Sequence, residues 1–152
     1  MGQYQTMPMN LTFDDEGNMY AYVKNDASWA KNKNKSVKLY KGKINSNNTV
    51  TFNLVMQGLY YAPGDHAQSI GFNSVNQRLY FVADGSIESV PVAKLGKLSA
   101  SDVKSETFQS YDADDAPIAT REFEGLAFDQ TGNGYLLSLR GVELMKATSS
   151  NF

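Results

Sequence analysis

The sequence predicts an all-β chain built from repeated antiparallel four-stranded units, and three observations point there. Three stretches, LTFDDEGNMYAY from Leu11, IGFNSVNQRLYFV from Ile70 and LAFDQTGNGYLLS from Leu126, align over their leading strands without gaps. Alternating apolar and polar residues follow the first copy in SVKLYKGKI and TVTFNLVM, with the period of two that a half-buried strand requires. The copies begin roughly 55–60 residues apart, a period that suits propeller blades with generous loops. The expected architecture is a single β-propeller-like domain of about three four-stranded antiparallel blades, half of a ring. Blade 1 is expected over about 9–58, blade 2 over about 66–111 and blade 3 over about 122–152.

Each element has its own signal. Gln3 to Met7 reads as a leading strand without a sheet of its own. Every copy then runs aliphatic, small, Phe, Asp or Asn, a polar turn and a Tyr-bearing strand. Phe13, Phe72 and Phe128 match, as do Tyr20, Tyr80 and Tyr135. Asp14 and Asp129 suit a side-chain cap while Gly17 and Gly132 supply positive φ, so hairpins are expected at Asp14–Asn18, Asn73–Gln77 and Asp129–Asn133. Phe13, Phe72, Phe128, Tyr80 and Leu126 are expected to be buried between blades. Ser36 to Ile44 and Thr49 to Met56 complete blade 1; Ser86 to Val92 and roughly Glu106 to Tyr111 complete blade 2. Between the last two, LGKLSASDV predicts a helical turn capped by Ser99 or Ser101. Blade 3 continues through Gly141 to Ala147 as three strands.

Closed propellers typically use four to eight blades, so three do not close a ring. Bare edges and apolar end faces are aggregation liabilities. The expected partner is therefore a second copy, in a homodimer, or an N-terminal half of the same protein.

Composition removes whole classes of function. With 14 Lys and Arg against 16 Asp and Glu, the net charge is −2, which argues against nucleic acid or an anionic membrane held by bulk electrostatics. The 41% hydrophobic content is dispersed, and no apolar run approaches the length of a membrane span. Cysteine is absent and histidine occurs once, as His66. That excludes thiol nucleophiles, disulfides, thiolate metal sites and two-histidine relays. MGQYQTMPMN lacks the basic and apolar pattern of a signal peptide. No Gly-x-Ser-x-Gly, phosphate loop or dinucleotide fingerprint occurs.

The lead-in to each inner strand is where chemistry is expected, because innermost strands line a propeller's channel. These lead-ins are MPMN, DHAQS and REFEG, aligning Met7 with His66 and Glu122, and Met9 with Gln68 and Glu124. His66, Gln68, Glu122 and Glu124 are the binding candidates; the competing role for each is a hydrogen bond to neighbouring backbone. Glu122 and Glu124 have strand spacing and face one way, suiting a cation or acid–base work. Two carboxylates fall short of the six to eight oxygens calcium takes, so calcium stays open as a cofactor without a full ligand set. Asp112, Asp114 and Asp115 form an acidic loop that lacks an EF-hand's glycine and distal Glu. Trp29, in NDASWAKNKNKS, and Tyr61, before His66, offer aromatic surface for a sugar ring or other apolar partner. Lys31, Lys33, Lys35 and Lys38 suit weak attraction to an anionic cell wall. No catalytic residue and no metal ligand is assigned.

The run YAPGDHAQSIGFNSVNQRLYFVADGSIESVPVAKLGKLSASDV, with EFEGLAFDQTGNGYLLS, resembles the helveticin family of large bacteriocins from lactic acid bacteria. The distinctive piece is His66 to Ser69, and the resemblance spans most of the chain, corresponding to that family's C-terminal half. It implies a secreted, extracellular, non-enzymatic antibacterial protein, or its cell-surface-binding domain, with a bacterial surface component or glycan as partner. EFEGLAFD also resembles the inner strand of gluconolactonase-like and phytase-like propeller enzymes, in which a Glu at this place holds calcium. That second resemblance implies a calcium-dependent hydrolase.

Overall fold

The β-branched, aromatic and leucine residues that alternate along each repeat form three antiparallel sheets laid one against the next. The structure, a computed structural model, describes residues 6–25, 37–57, 69–83, 86–107, 110–111, 117–118, 123–138 and 144–147. The first sheet runs β1 (Thr6–Phe13), β2 (Asn18–Asn25), β3 (Val37–Ile44) and β4 (Val50–Gln57), in chain order. The second repeats this with β5 (Ser69–Asn73), β6 (Arg78–Ala83), β7 (Ser86–Pro91) and β8 (Lys104–Thr107). Short strands β9 (Ser110–Tyr111) and β10 (Pro117–Ile118) pair with each other. The third sheet is β11 (Phe123–Phe128), β12 (Gly134–Ser138) and β13 (Leu144–Ala147). No α-helix occurs among the described residues. The chain is all-β, a partial propeller of meander sheets.

The three hairpins fall where the repeat places them. The Asp14 carboxylate accepts the N–H groups of Glu16 (3.0 Å) and Asn18 (2.8 Å), the Asn18 amide (2.8 Å) and the Tyr20 hydroxyl (2.8 Å). Asp129 repeats the pattern with Thr131 (2.9 Å), Asn133 (3.0 and 2.8 Å) and Tyr135 (3.0 Å). Both turns need left-handed backbone, supplied by Gly17 (φ 73°) and Gly132 (φ 84°). In blade 2, Asn73 takes the aspartate's place and accepts from Val75 N–H at 3.0 Å, while Gln77 carries the positive φ of 56°.

Two strands differ from expectation. Blade 2's outer strand is Lys104–Thr107, earlier than Glu106 to Tyr111, and Tyr111 belongs to the separate β9–β10 pair. The cause is the loop before it. Ser99 caps a 3-10 turn at Ala100–Asp102, its N–H and hydroxyl both donating to the Asp102 carboxylate at 2.9 and 2.7 Å. Arg78 then donates to the Asp102 carbonyl (2.9 Å) and to both oxygens of Ser89 (2.9 Å each), clamping the loop to the sheet and delivering the chain to β8 at Lys104. Thr6 and Met7 do not form a separate leading strand either. They open β1, opposite Asn25 and Lys24 of the same sheet.

Packing follows from the alternation. One core joins the trailing face of blade 1 (Tyr20, Tyr22, Leu39, Met56) to the leading face of blade 2 (Ile70, Leu79, Phe81, Val90). The other joins the trailing face of blade 2 (Tyr80, Val82, Ile87) to Leu126 and Leu136 of blade 3, with Phe128 at its margin. Tilted ring pairs cross both junctions, Tyr22 with Phe81 at 5.6 Å and Tyr80 with Phe128 at 4.8 Å. The small residue in the repeat makes the approach close: a Cβ on Gly71 would lie 3.1 Å from both Leu126 and Phe128. Tyr80 and Leu126 are buried as expected, and Phe72 and Phe128 are partly buried. Phe13 is not buried: it is 47% exposed, because no sheet among the described residues packs on the face it points from.

Candidate functional site

β5 lies between β1 and β11, so the three inner strands converge at their starts. Ser69, the last residue of the His-x-Gln-Ser lead-in, sits buried at the point of convergence. Its hydroxyl oxygen accepts the backbone N–H of Leu126 in blade 3 at 2.9 Å and the side-chain amide of Asn10 in blade 1 at 3.3 Å. One small side chain thus ties all three inner strands together. The Asn10 carbonyl oxygen accepts the N–H of Leu11 at 2.7 Å. At the aligned positions Leu11 and Leu126, then, a side-chain oxygen takes up the backbone N–H.

The register breaks just ahead of both. In β1 it shifts between Pro8 and Asn10, leaving Met9 without an opposite residue; in β11 it shifts between Phe123 and Gly125, leaving Glu124 without one. Met9 and Glu124 are equivalent in the repeat. Bulges of this kind cluster beside binding sites because they bend the strand and re-aim one side chain. The fold therefore places the variable lead-in residue at a bulge in blades 1 and 3, the two blades in which that position is described.

The opposite end of the inner strands is knitted shut. Gln77 donates to Asp15 in the first hairpin at 3.1 Å, and Asn73 donates to the Gly132 carbonyl in the third at 3.4 Å. The hairpin carboxylates serve structure. Burial alone would raise the Asp14 carboxyl, but hydrogen bonds from Asn18, Tyr20 and Glu16 outweigh it and hold it below its ordinary value. Hydrogen bonds from Asn133 and Thr131 depress Asp129 likewise. Their tyrosine partners are pushed the other way. Burial and then the Asp14 contact raise Tyr20, and the Asp129 hydrogen bond raises Tyr135. A phenol held protonated against a carboxylate is a strut, not a nucleophile. Sequence reasoning missed this bond, although Asp and Tyr stand six residues apart in both copies.

Of the sequence candidates, His66, Gln68, Glu122, Trp29 and Tyr61 lie outside the described residues, as does the Asp112 to Asp115 loop. Glu124 is placed by its backbone, at the β11 bulge. No three His, Asp or Glu side chains among the described residues come together as a metal site. Sequence reasoning also missed Asn10 and Ser69; the available signal was Ser69 itself, inside the most distinctive motif.

No family model matches this chain, and no curated protein does. Solved structures do. A luciferin-regenerating enzyme aligns with a TM-score of 0.54 at 11% identity, covering 96% of this chain and 43% of that one. Regucalcin from Agrobacterium tumefaciens, described as a calcium-binding protein, aligns with a TM-score of 0.53 at 14% identity, covering 93% of this chain and 42% of that one. The chain thus spans less than half the length of the structures it resembles. At these identities the likeness concerns the fold, and it agrees with the sheet order: three consecutive meander sheets forming part of a β-propeller.

Proposed function

We propose that the chain forms part of a β-propeller hydrolase of the calcium-binding, small-molecule type, with its ligand at the mouth where the inner strands begin. The observation that carries this reading is the bulge at Glu124, which sets a carboxylate residue at a register break on an inner strand. The likeness to calcium-binding regucalcin and to a luciferin-regenerating enzyme supports it over the bacteriocin reading. The described side chains do not by themselves make up a calcium site, which takes six to eight oxygens. The reading assigns further oxygens to Glu122 and Gln68, the other polar lead-in residues. A bound calcium ion would polarise a carbonyl or phosphoryl oxygen of the ligand.

The test is a calorimetric calcium titration of the 152-residue chain beside Glu124→Gln. Saturable binding, weakened about tenfold or more by the substitution with an unchanged melting temperature, is the expected result. Absence of binding heat in the unsubstituted chain overturns the calcium reading. A second reading, a secreted antibacterial module that binds a bacterial surface component or glycan, draws on the helveticin resemblance of residues 61–103. A zone of clearing on a lactobacillus lawn, without calcium binding, would favour it.

A further inference from the structure

The sheet register divides each blade into a leading and a trailing face, and corresponding positions on them have different fates along the chain. On the leading face, Leu11, Ile70 and Leu126 are equivalent, yet Ile70 is 2% exposed, Leu126 8% and Leu11 44%. Cross-strand partners put Leu11 in a row with Leu54, and Phe13 in a row with Phe52. Leu11, Phe13, Phe52, Leu54 and Ile44 are all exposed. Gly42 leaves room for these side chains: a Cβ there would lie 2.7 Å from Val50 and 2.9 Å from the Phe52 ring. On the trailing face the order reverses. Tyr22 and Val82 are buried, while their equivalent in blade 3, Leu137, is 42% exposed. Tyr20 and Tyr80 are buried, while Tyr135 is only partly so.

The two internal junctions give the pattern that fits each of these faces. Both are made by a trailing face of the Tyr20/Tyr22 kind against a leading face of the Ile70/Phe72 kind. Among the described residues, the leading face of blade 1 and the trailing face of blade 3 lack such a partner. We propose that a second copy of this chain docks head to tail on both, blade 3 of each copy covering Leu11, Phe13 and Phe52 of the other. The pair has two-fold symmetry and closes one six-bladed ring. Closure also brings the lead-ins of both copies around one mouth.

Light scattering over a concentration series of the 152-residue chain tests this. The expected species has twice the chain mass. Leu11→Asp on the leading face and Leu137→Asp on the trailing face should each weaken it about 100-fold or more, as charges set into an apolar interface core do; Lys97→Asp, in an exposed turn, should not. An equimolar mixture of the two interface variants regains one unsubstituted junction and should associate more tightly than either alone. A monomer at tens of micromolar overturns the proposal. So does a dimer indifferent to Leu137→Asp, which would pair leading face with leading face, and so does a ladder of growing polymers, which would show an open chain. If Leu11→Asp fails to fold by circular dichroism, Phe52→Asp carries the same test.

Discussion

Phe72 and Phe13 occupy the same place in the repeat and sit in opposite environments. Phe72 packs against the core between blades 1 and 2, while Phe13 projects from a sheet face against which no described blade packs. Both end the leading face of an inner strand, Phe13 opposite Met19 and Phe72 opposite Leu79. What differs is whether a described blade packs against that face. Local pattern therefore decides which face a side chain occupies, and the neighbouring blade decides whether that face contributes to stability.

The sharpest way to break this comparison is to hollow out the covered face. Leu79 is fully buried between blades 1 and 2, so Leu79→Ala should cost about 2–5 kcal/mol in chemical denaturation, the range for core leucines. A loss under about 1 kcal/mol would show that the junction is loosely packed. Phe72→Ala comes next. Because Phe72 is only partly buried, the expected loss is about 2–3 kcal/mol, below the full range for core aromatics.

The turns give a smaller effect and one with a pH signature. Asp14→Ala removes the acceptor of four hydrogen bonds and leaves the buried Tyr20 and Asn18 without it, so about 1–2 kcal/mol is expected. Asp14, Asp129 and Asp102, the last drawn down to about 2 by Ser99 and Lys94, all bind protons less readily in the folded chain. Their stabilisation is present above the ordinary carboxylate range and is lost as pH falls from about 4 toward 2. Glu88 has the opposite sign. Burial raises its carboxyl, so its ionisation costs stability as pH rises past the ordinary glutamate range. Melting temperatures should fall steeply below pH 4. Asp14→Ala should flatten that fall, and Glu88→Gln should raise the melting temperature at pH 7 more than at pH 4.

Much of the fold was legible in the residues. Asp-x-x-Gly-Asn fixed two hairpins to the residue because its side-chain acceptor and positive φ leave the chain few other conformations. The outer strand of blade 2 was not legible, since its start depends on Arg78 reaching across from β6 to the Asp102 carbonyl. The starts of the inner strands were less legible, since the bulges at Met9 and Glu124 are properties of strand pairing, invisible to a pattern of one strand. The burial of Phe13 was misjudged for the same kind of reason: a repeat reports what a blade is, not what lies beside it.

The smallest effect is the most telling. In dilute solution Phe13→Ala should cost less than about 1 kcal/mol, because nearly half the ring already meets water and exposed substitutions rarely exceed that. A second copy seated on the leading face would change this, since burial in an interface adds to apparent stability by mass action. The cost of Phe13→Ala should then rise with protein concentration, while the cost of Phe72→Ala, made within one chain, stays constant. Paired melts of both variants at about 1 and 100 μM, a span over which mass action moves a dimer, measure the two trends. Equal slopes would mean that Phe13 is either covered within its own chain or never covered at all, and a large, concentration-independent loss at Phe13 would erase the contrast with Phe72.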